Sequence, residues 1–337
     1  MAVSSTRRRI GATIVGLLVV VISGGVLAMT AMPGRSHAGP LEPPSAWDRS
    51  LAVELRRHVQ ALAGDIGERN EAHPAELARA ADYVARDLGA WTTVARLGYR
   101  DGPARLENIE GTIAGSNPRA PVVVLGAHYD SVEGSPGAND NATGVAAMLV
   151  LARHFARRHP VSTIRFVAFP NEEPPYFQRS SMGSLVYARR CRQRGDDIGA
   201  MLSLETMGYF DDGAGSQHYP LPGIGLAYPD RGDFIAVVGN LGSRALVRRV
   251  VGDFRSSARF PSDGAALPGA VPGVGWSDHW SFWQAGYPGA MLTDTAPFRY
   301  PHYHEATDTP DMVDYARLAR VVRGVAHVVE SLARDPS

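Results

Sequence analysis

Short apolar runs that stop at acidic or histidine residues recur along this 337-residue chain and constrain its fold more than any other feature. Residues 122–127 lead directly into His128-Tyr129-Asp130, and residues 163–169 are followed by Asn171-Glu172-Glu173. Residues 200–204 and 290–293 form two further runs of this kind. Short, bounded apolar runs that are rich in β-branched residues indicate buried strands. The sequence therefore predicts four strands in the interior of a sheet.

Helical patterns separate these strands along the chain. Apolar residues recur at helical spacing in six segments: 47–63, 74–88, 144–159, 184–194, 243–254 and 315–333. Strands that alternate with helices indicate a parallel or mixed sheet covered by helices on both faces. The predicted fold class is therefore α/β with a mixed, mostly parallel central sheet. Because parallel strands end at one edge, the polar residues that follow them are expected to meet there.

Composition limits the chemistry that these residues can perform. All 34 basic residues are arginines, which excludes mechanisms that need a lysine amine, such as Schiff-base formation. The single cysteine, Cys191, cannot form an intramolecular disulfide, and it cannot supply the several thiolates of a structural zinc or iron–sulfur site. Any metal must therefore be held by histidines and carboxylates.

The first 39 residues differ from the rest of the chain. Three arginines, Arg7 to Arg9, precede an uncharged run at 10–32, which is long enough for a transmembrane helix of about 20 residues. The apolar core of a signal peptide is usually shorter, about 7–15 residues, which favours an uncleaved anchor. Ser36-His37-Ala38 nevertheless offers a signal-peptidase site, so a secreted protein is the alternative. Either interpretation places the following residues outside the cytoplasm.

Residues 40–337 are predicted to form one catalytic domain, since no repeat or later linker divides them. This part holds 30 arginines and 34 acidic residues. Its slight net negative charge argues against a nucleic-acid partner. The oligomeric state cannot be inferred from these features.

Candidate site residues follow the predicted strands. His128 and Asp130 point to the same side of an extended segment, so Asp130 can orient the imidazole of a metal-bound His128. Asp140 lies in the loop that opens the next predicted helix. Glu172 and Glu173 end another buried strand, and two adjacent buried carboxylates are costly unless a cation compensates them.

Glu205 follows the run at 200–204, and His304 follows the last predicted strand and a connecting loop. His302 lies on the same side of that extended segment and is the competing histidine. Five residues are the candidate metal ligands: His128, Asp140, Glu173, Glu205 and His304. Together they carry a formal charge of −3, which two Zn²⁺ ions and one hydroxide would neutralise.

These ligand types suit a two-metal centre. An aspartate such as Asp140 can bridge two metals about 3.5–4 Å apart, which leaves one histidine and one private carboxylate for each metal. Glu172 is adjacent to a ligand but is not needed as one. It is therefore free to act as a general base.

This series of motifs, in this order and strand context, resembles the two-zinc exopeptidases of metallopeptidase family twenty-eight over residues 68–333. The resemblance implies that His128 and Glu205 hold one zinc, that Glu173 and His304 hold the other, and that Asp140 bridges them. It also implies that Glu172 is the general base and that Asp130 supports His128.

Further roles come from the same resemblance. Tyr303 resembles a tyrosine that stabilises the tetrahedral oxyanion in some family members, which suits a phenol donor beside a metal. Residues 276–283 resemble a segment that lines the substrate pocket, with Asp278 and His279 as substrate-binding candidates.

The activity implied is that of an aminopeptidase, which hydrolyses the amino-terminal bond of a peptide. Glutaminyl cyclases share the fold and much of the motif series, but use one zinc and typically have tryptophan where this chain has Tyr303. A binding ectodomain without catalytic activity is the third possibility, although such relatives usually lose metal ligands.

Overall fold

The computed structural model describes residue 25 and residues 29–334, and within them a single eight-stranded sheet flanked by helices. The strands are β1 Thr93–Asp101, β2 Ala104–Ile113, β3 Val122–His128, β4 Ile164–Phe169, β5 Ile198–Glu205, β6 Ile235–Asn240, β7 Ser262–Leu267 and β8 Gly289–Thr293. The helices are α1 Ala46–Val59, α2 Pro74–Gly89, α3 Thr143–Phe155, α4 Gly183–Arg194, α5 Arg244–Ser257, α6 His279–Gln284 and α7 Tyr315–Arg334.

The strand order is β1-β2-β4-β3-β5-β8-β6-β7. The four central strands β4, β3, β5 and β8 are mutually parallel, whereas β2 and β6 run antiparallel to the central strands beside them. The predicted α/β class with a mixed, mostly parallel sheet is confirmed. All four predicted strands are central strands of this sheet.

Four strands at the sides of the sheet escaped prediction, three of them for a physical reason. β1 alternates mostly half-buried and exposed positions, β2 mixes buried and half-buried ones, and both carry arginines and acids. β7 contains Asp263 and Gly264, residue types that are depleted in strands. A search for continuous apolar runs misses these three strands. β6 is different, because residues 235–238 form a mostly buried apolar run that the prediction did not include.

Helices cover both faces of the sheet. α1, α2, α3, α5 and α7 share a core with one face, and α3 is buried almost all round because it lies between the sheet and other helices. On the other face, α4 and α6 pack through a smaller aromatic cluster that includes Phe169, Tyr187 and Phe282. Burial on both faces leaves the strand ends as the places where polar side chains can gather.

The segment before α1 packs along α5 and β7. Arg255 donates a hydrogen bond to the carbonyl of Pro33 (3.2 Å), and the Ser36 hydroxyl accepts one from the Ser262 amide (2.9 Å). The predicted domain boundary at residue 40 stays a prediction. The run predicted to be an anchor lies mostly outside the described residues, at 10–24 and 26–28. In the part of the chain that is described, none of the helices combines the length and apolarity needed to cross a bilayer.

Gly144, in the first turn of α3, controls how closely this helix approaches β5. A Cβ atom there would lie 2.2 Å from the Leu204 carbonyl oxygen, which is backbone and cannot move aside easily. We expect Gly144→Ala to lower the free energy of unfolding by about 1–3 kcal/mol, the usual cost of overpacking. Urea denaturation measures this difference.

Gly89→Ala is the matched control for that substitution. A Cβ atom at this helix-terminal glycine would meet only Val94, at an ordinary 3.8 Å. We expect the control to be neutral or slightly stabilising. Equal stability of the two variants would contradict the close approach of α3 to β5.

Candidate metal centre

Five predicted ligands meet at the carboxyl edge of the central strands. His128 and Glu205 are the last residues of β3 and β5, and Glu173 follows β4 by four residues. Asp140 lies in an irregular turn that leads into α3. His304 comes from the loop after β8 and is half-buried, whereas the other four side chains are buried. Parallel packing of the strands therefore brings together residues that are up to 176 positions apart in sequence.

The five side chains form two groups that share Asp140. In the first, the His128 Nε2 atom lies 3.2 Å from Asp140 Oδ1 and 3.3 Å from Glu205 Oε2. In the second, the His304 Nε2 atom lies 3.2 Å from Asp140 Oδ2 and 3.1 Å from Glu173 Oε2. Each oxygen of Asp140 thus faces a different histidine, which is the arrangement that a bridging carboxylate needs.

The unsatisfied polar atoms of this cluster fit two divalent cations. The Nε2 atoms of His128 and His304 are buried and have no hydrogen-bond partner among the described residues. Burial raises the pKa of Glu205, and it raises the pKa of Glu173 to about 7, because a charged carboxylate is costly away from water. Cations bound between these groups would remove that cost and satisfy the nitrogens.

Asp130 contacts both halves of the cluster. Its Oδ1 atom lies 3.4 Å from His128 Nδ1, and its Oδ2 atom accepts a hydrogen bond from the Glu173 amide (3.2 Å). A carboxylate in this position favours the His128 tautomer that leaves Nε2 free to bind a metal.

Asp308, to which sequence reasoning gave no role, holds the turn that carries Asp140. Its two carboxylate oxygens accept hydrogen bonds from the amides of Asn139 (2.8 Å) and Asp140 (3.1 Å). The Tyr300 hydroxyl donates a third bond to this carboxylate (2.7 Å). Asp308 is buried, and it fixes the backbone from which the shared ligand projects.

Arg69 is a second residue that sequence reasoning missed. Its guanidinium is fully buried and donates hydrogen bonds to the carbonyls of Tyr129 (2.6 Å), Pro136 (2.5 Å) and Gly137 (2.8 Å). Burial lowers its pKa to about 10, which still leaves it charged at neutral pH. A positive charge behind the site offsets part of the repulsion among its carboxylates. The arginine lies between two helices in a stretch without strand character, so its sequence gave no signal.

Backbone in the left-handed region recurs at this edge. Asn171 precedes the two glutamates with φ of 58°, Thr206 follows Glu205 with φ of 38°, and His304 itself has φ of 61°. Such conformations cost non-glycine residues about 1–3 kcal/mol each. The Asn141 side chain stabilises one of them, since its Oδ1 atom accepts the Thr206 amide hydrogen (3.2 Å).

Glu172 and Tyr303 lie beside the two groups. A Glu172 carboxylate oxygen is 3.9 Å from His128 Nε2, and burial raises the pKa of this glutamate well above its usual value. The ring of Tyr303 stacks on His304 with 3.8 Å between centroids. Burial also raises the pKa of Tyr303, which keeps its phenol protonated. The competing histidine, His302, instead contacts the Thr307 hydroxyl (2.7 Å).

The predicted substrate-binding pair occupies different surroundings from those expected. His279 is fully buried, contacts the Val274 carbonyl through Nε2 (2.8 Å) and packs edge-on against Trp283. Asp278 is also fully buried, and burial raises its pKa to about 7. Neither residue lines the cavity beside the cluster. The neighbouring Ser277 donates a hydrogen bond to Glu205 (2.7 Å), a contact that the motif did not reveal.

A cavity opens beside Glu205 and Tyr303. Its walls come from β6, β7, β8 and the loops at 217–228, 271–276 and 295–298. The lining is mostly apolar and aromatic, and includes Tyr219, Tyr228, Phe234, Val238, Val274, Met291 and Phe298. Such a cavity suits a large apolar side chain next to the cluster.

Asp308→Asn tests how firmly Asp140 must be held. An asparagine at this position offers one acceptor oxygen where two amides and a phenol now donate, so the turn is expected to loosen. We expect metal affinity to fall about 10- to 100-fold, as when other groups that orient metal ligands are removed. Equilibrium dialysis against zinc measures this affinity.

Asp311→Asn is the control, since it makes the same chemical change three residues away at a side chain that is 87% exposed. We expect unchanged affinity. A normal affinity in Asp308→Asn would show that the turn holds its shape without this carboxylate.

Comparison with known proteins identifies relatives of this chain. Residues 108–329 match Peptidase family M28. The chain is 36% identical over 291 residues to the uncharacterized protein YfbL of Escherichia coli, covering 84% of this chain and 88% of YfbL. It is 28% identical over 298 residues to the probable lipoprotein aminopeptidase LpqL of Mycobacterium tuberculosis. That alignment covers 82% of this chain but 55% of LpqL, so the chain spans about half the length of this relative.

Solved structures share the fold at low sequence identity. The zinc aminopeptidase BSAP from Bacillus subtilis has a TM-score of 0.66 at 15% identity, covering 84% of this chain and 95% of BSAP. Tannerella forsythia glutaminyl cyclase has a TM-score of 0.61 at 18% identity, covering 83% of this chain and 98% of the cyclase. The sequence match spans more than half of the chain and includes every residue of the metal cluster, so this protein belongs to Peptidase family M28.

Proposed function

We propose that this protein is a two-zinc aminopeptidase that removes the first residue of peptides. The observation that carries the proposal is the pair of three-residue groups that share Asp140, with Glu172 beside them. Membership of a peptidase family and the names of relatives such as BSAP support the choice of metal and reaction.

His128, Glu205 and Asp140 would hold one zinc, and His304, Glu173 and Asp140 the other. When bound, such ions supply Lewis acidity that polarises the scissile carbonyl and acidifies water. The protein contributes by fixing the ligands before the metals arrive, through Asp130, Asp308 and Arg69.

Glu172 moves the proton in this proposal. Its raised pKa makes its carboxylate a stronger base than an exposed glutamate, so it can take a proton from the attacking water. The protonated Glu172 then donates to the amine nitrogen as the peptide bond breaks. Burial serves both steps, because it raises the pKa of the side chain and so strengthens its hold on the proton between them.

Tyr303 supplies a hydrogen bond to the substrate. Its phenol stays protonated near neutral pH, and its ring is held by the stack on His304. Since Tyr303 and Glu205 both line the cavity, a carbonyl placed at the cavity mouth lies within reach of the phenol. Donation to the developing oxyanion lowers the barrier to attack.

The apolar cavity indicates which first residues are preferred. A leucine or phenylalanine side chain buried there would gain about 1.5–3 kcal/mol from desolvation. Aspartate or glutamate would lose its hydration without gaining a cation, because none of the described residues that line the cavity is an arginine.

A glutaminyl cyclase is the second candidate, and the shared fold of the Tannerella forsythia enzyme keeps it open. Tyr303 and the completeness of both three-residue groups favour the peptidase. The peptide assay below separates the two activities, since cyclisation of amino-terminal glutamine releases ammonia without cleaving the chain.

We also propose that the catalytic domain is exported and that the uncharged run at 10–32 anchors it in the membrane. Contacts of Pro33 and Ser36 with the domain support retention of this segment. Cleavage after Ala38 would remove both contacts, so the secreted form is the less favoured alternative.

Mass spectrometry of a mixed peptide pool tests the activity. We expect stepwise loss of residues from free amino termini, fastest after leucine or phenylalanine, and no cleavage of amino-terminally acetylated peptides. A chelator should stop the reaction and added zinc should restore it. Loss of carboxyl-terminal residues, or a 17-dalton loss (the mass of ammonia) from amino-terminal glutamine, would refute the aminopeptidase assignment.

Glu172→Gln separates proton transfer from metal binding. Because glutamine cannot accept the proton, we expect kcat to fall about 100- to 10,000-fold while zinc content stays at the wild-type value. His304→Ala provides the contrast, since it should lose bound zinc as well as activity. Kinetics together with elemental analysis of both variants measure this. Near-normal kcat in Glu172→Gln would exclude Glu172 as the base.

A further inference from the structure

The amino ends of the central strands form a surface rich in arginine, opposite the acidic metal centre. We call this surface the amino edge and define it by the connections at 114–121, 156–163, 192–197 and 241–245. These connections hold six arginines and two acids. The carboxyl edge instead carries the carboxylates and histidines that we propose hold the metals.

Hydrogen bonds join three of these connections. The amides of Ser116 and Asn117 donate to the carbonyls of Pro160 (2.9 Å) and Val161 (3.0 Å). The Val122 amide at the start of β3 donates to the Asp197 carbonyl (2.7 Å). The connections at 114–121, 156–163 and 192–197 are therefore held side by side, and the one at 241–245 lies farther along the same edge, beyond β8.

Several of these arginines are not neutralised by neighbours. Arg119, Arg157 and Arg158 are exposed and form no ion pair with any residue that the structure describes. One of the two acids, Asp196, is already paired with Arg165 (2.5 Å) and Arg194 (2.6 Å). The amino edge thus presents uncompensated positive charge to solvent.

Aromatic and apolar side chains accompany the arginines. Arg157 lies 6.0 Å from the centre of the Trp91 ring, and the two line one shallow pocket with His154. Trp47 packs edge-on against His154 and is 43% exposed, and Leu241 is 51% exposed. Tryptophans beside arginines are typical of surfaces that contact lipid head groups.

The segment that follows the uncharged run at 10–32 packs against the domain in a direction that leads back to the amino edge. α5 begins at the amino edge, since the Ser243 hydroxyl before it accepts the Gly289 amide hydrogen at the start of β8 (3.1 Å). Pro33 packs near Gly252 in the second half of α5, and the Ala31 carbonyl contacts Arg248 one turn closer to the amino edge. The segment therefore approaches the amino edge as it is followed back toward the run at 10–32.

We propose that the amino edge docks on anionic phospholipid head groups, so that the bilayer covers this edge and the active site faces away from it. The proposal builds on the membrane attachment proposed above. Its own grounds are the unpaired arginines, the neighbouring tryptophans and the attachment point of the uncharged run. Docking would leave the carboxyl edge open to peptides.

Flotation of the full-length protein with preformed vesicles tests this proposal. We expect binding to phosphatidylcholine vesicles that contain phosphatidylglycerol to exceed binding to phosphatidylcholine alone, and the difference to shrink at high salt. Arg157→Gln/Arg158→Gln should weaken binding to the anionic vesicles about 25-fold, which is about fivefold for each arginine. Hydrogen exchange at 156–163 should also slow on anionic vesicles, and less so in this variant.

Arg179→Gln/Arg231→Gln makes the same change in charge at exposed arginines near the opposite edge and is the matched control. We expect it to bind as wild type. Equal weakening by both double variants, or equal binding to both lipid compositions, would overturn the docking proposal. If only the anchor proposal is wrong, the protein should not bind phosphatidylcholine vesicles. It should still bind anionic vesicles, and that binding should still depend on the arginines. Peptide hydrolysis by the same samples reports separately on the catalytic proposal.

Discussion

The cost of burying carboxylates at one end of a sheet governs the rest of this structure. Asp140, Glu173 and Glu205 are buried within a few ångströms of one another, with Glu172 beside them. In a site of low polarity such a set is unstable unless cations compensate it. Two histidines and a buried arginine accompany these carboxylates, which belong to two groups that could each hold a metal ion. The same burial raises the pKa of Glu172, the residue that transfers the proton in our proposal.

The supporting residues show how the fold holds ligands whose mutual repulsion would drive them apart. Asp308 holds the amides of the turn that carries Asp140, and Arg69 holds three carbonyls behind it. Left-handed backbone at Thr206 and His304 adds local strain, and at Thr206 the hydrogen bond from its amide to the Asn141 side chain offsets part of that strain. The positions of the ligands therefore depend on side chains that would not themselves contact a metal.

The two edges of the sheet gather different charged residues. The carboxyl edge gathers the carboxylates that we propose hold metal, and the amino edge gathers arginines such as Arg157 and Arg158. In our proposals these edges serve different partners, a peptide at one and a lipid surface at the other. The apolar cavity beside Tyr303 adds selectivity for the first side chain of the peptide.

The sequence by itself determined the four central strands, the α/β class and the residue types that gather at the strand ends. It could do so because strands that are buried on both faces need continuous apolar runs, and because a loop must follow each run at the same edge. Only the tertiary structure decided which oxygen of Asp140 faces which histidine, that His302 lies apart, and that Asp278 and His279 do not line the cavity. Asp308 and Arg69 could not be found from the sequence, because the site backbone that they hold at Tyr129 and Asp140 lies 60 or more residues away from them. Long-range contacts of that kind leave no local pattern, and they exist only once the sheet and its loops have assembled.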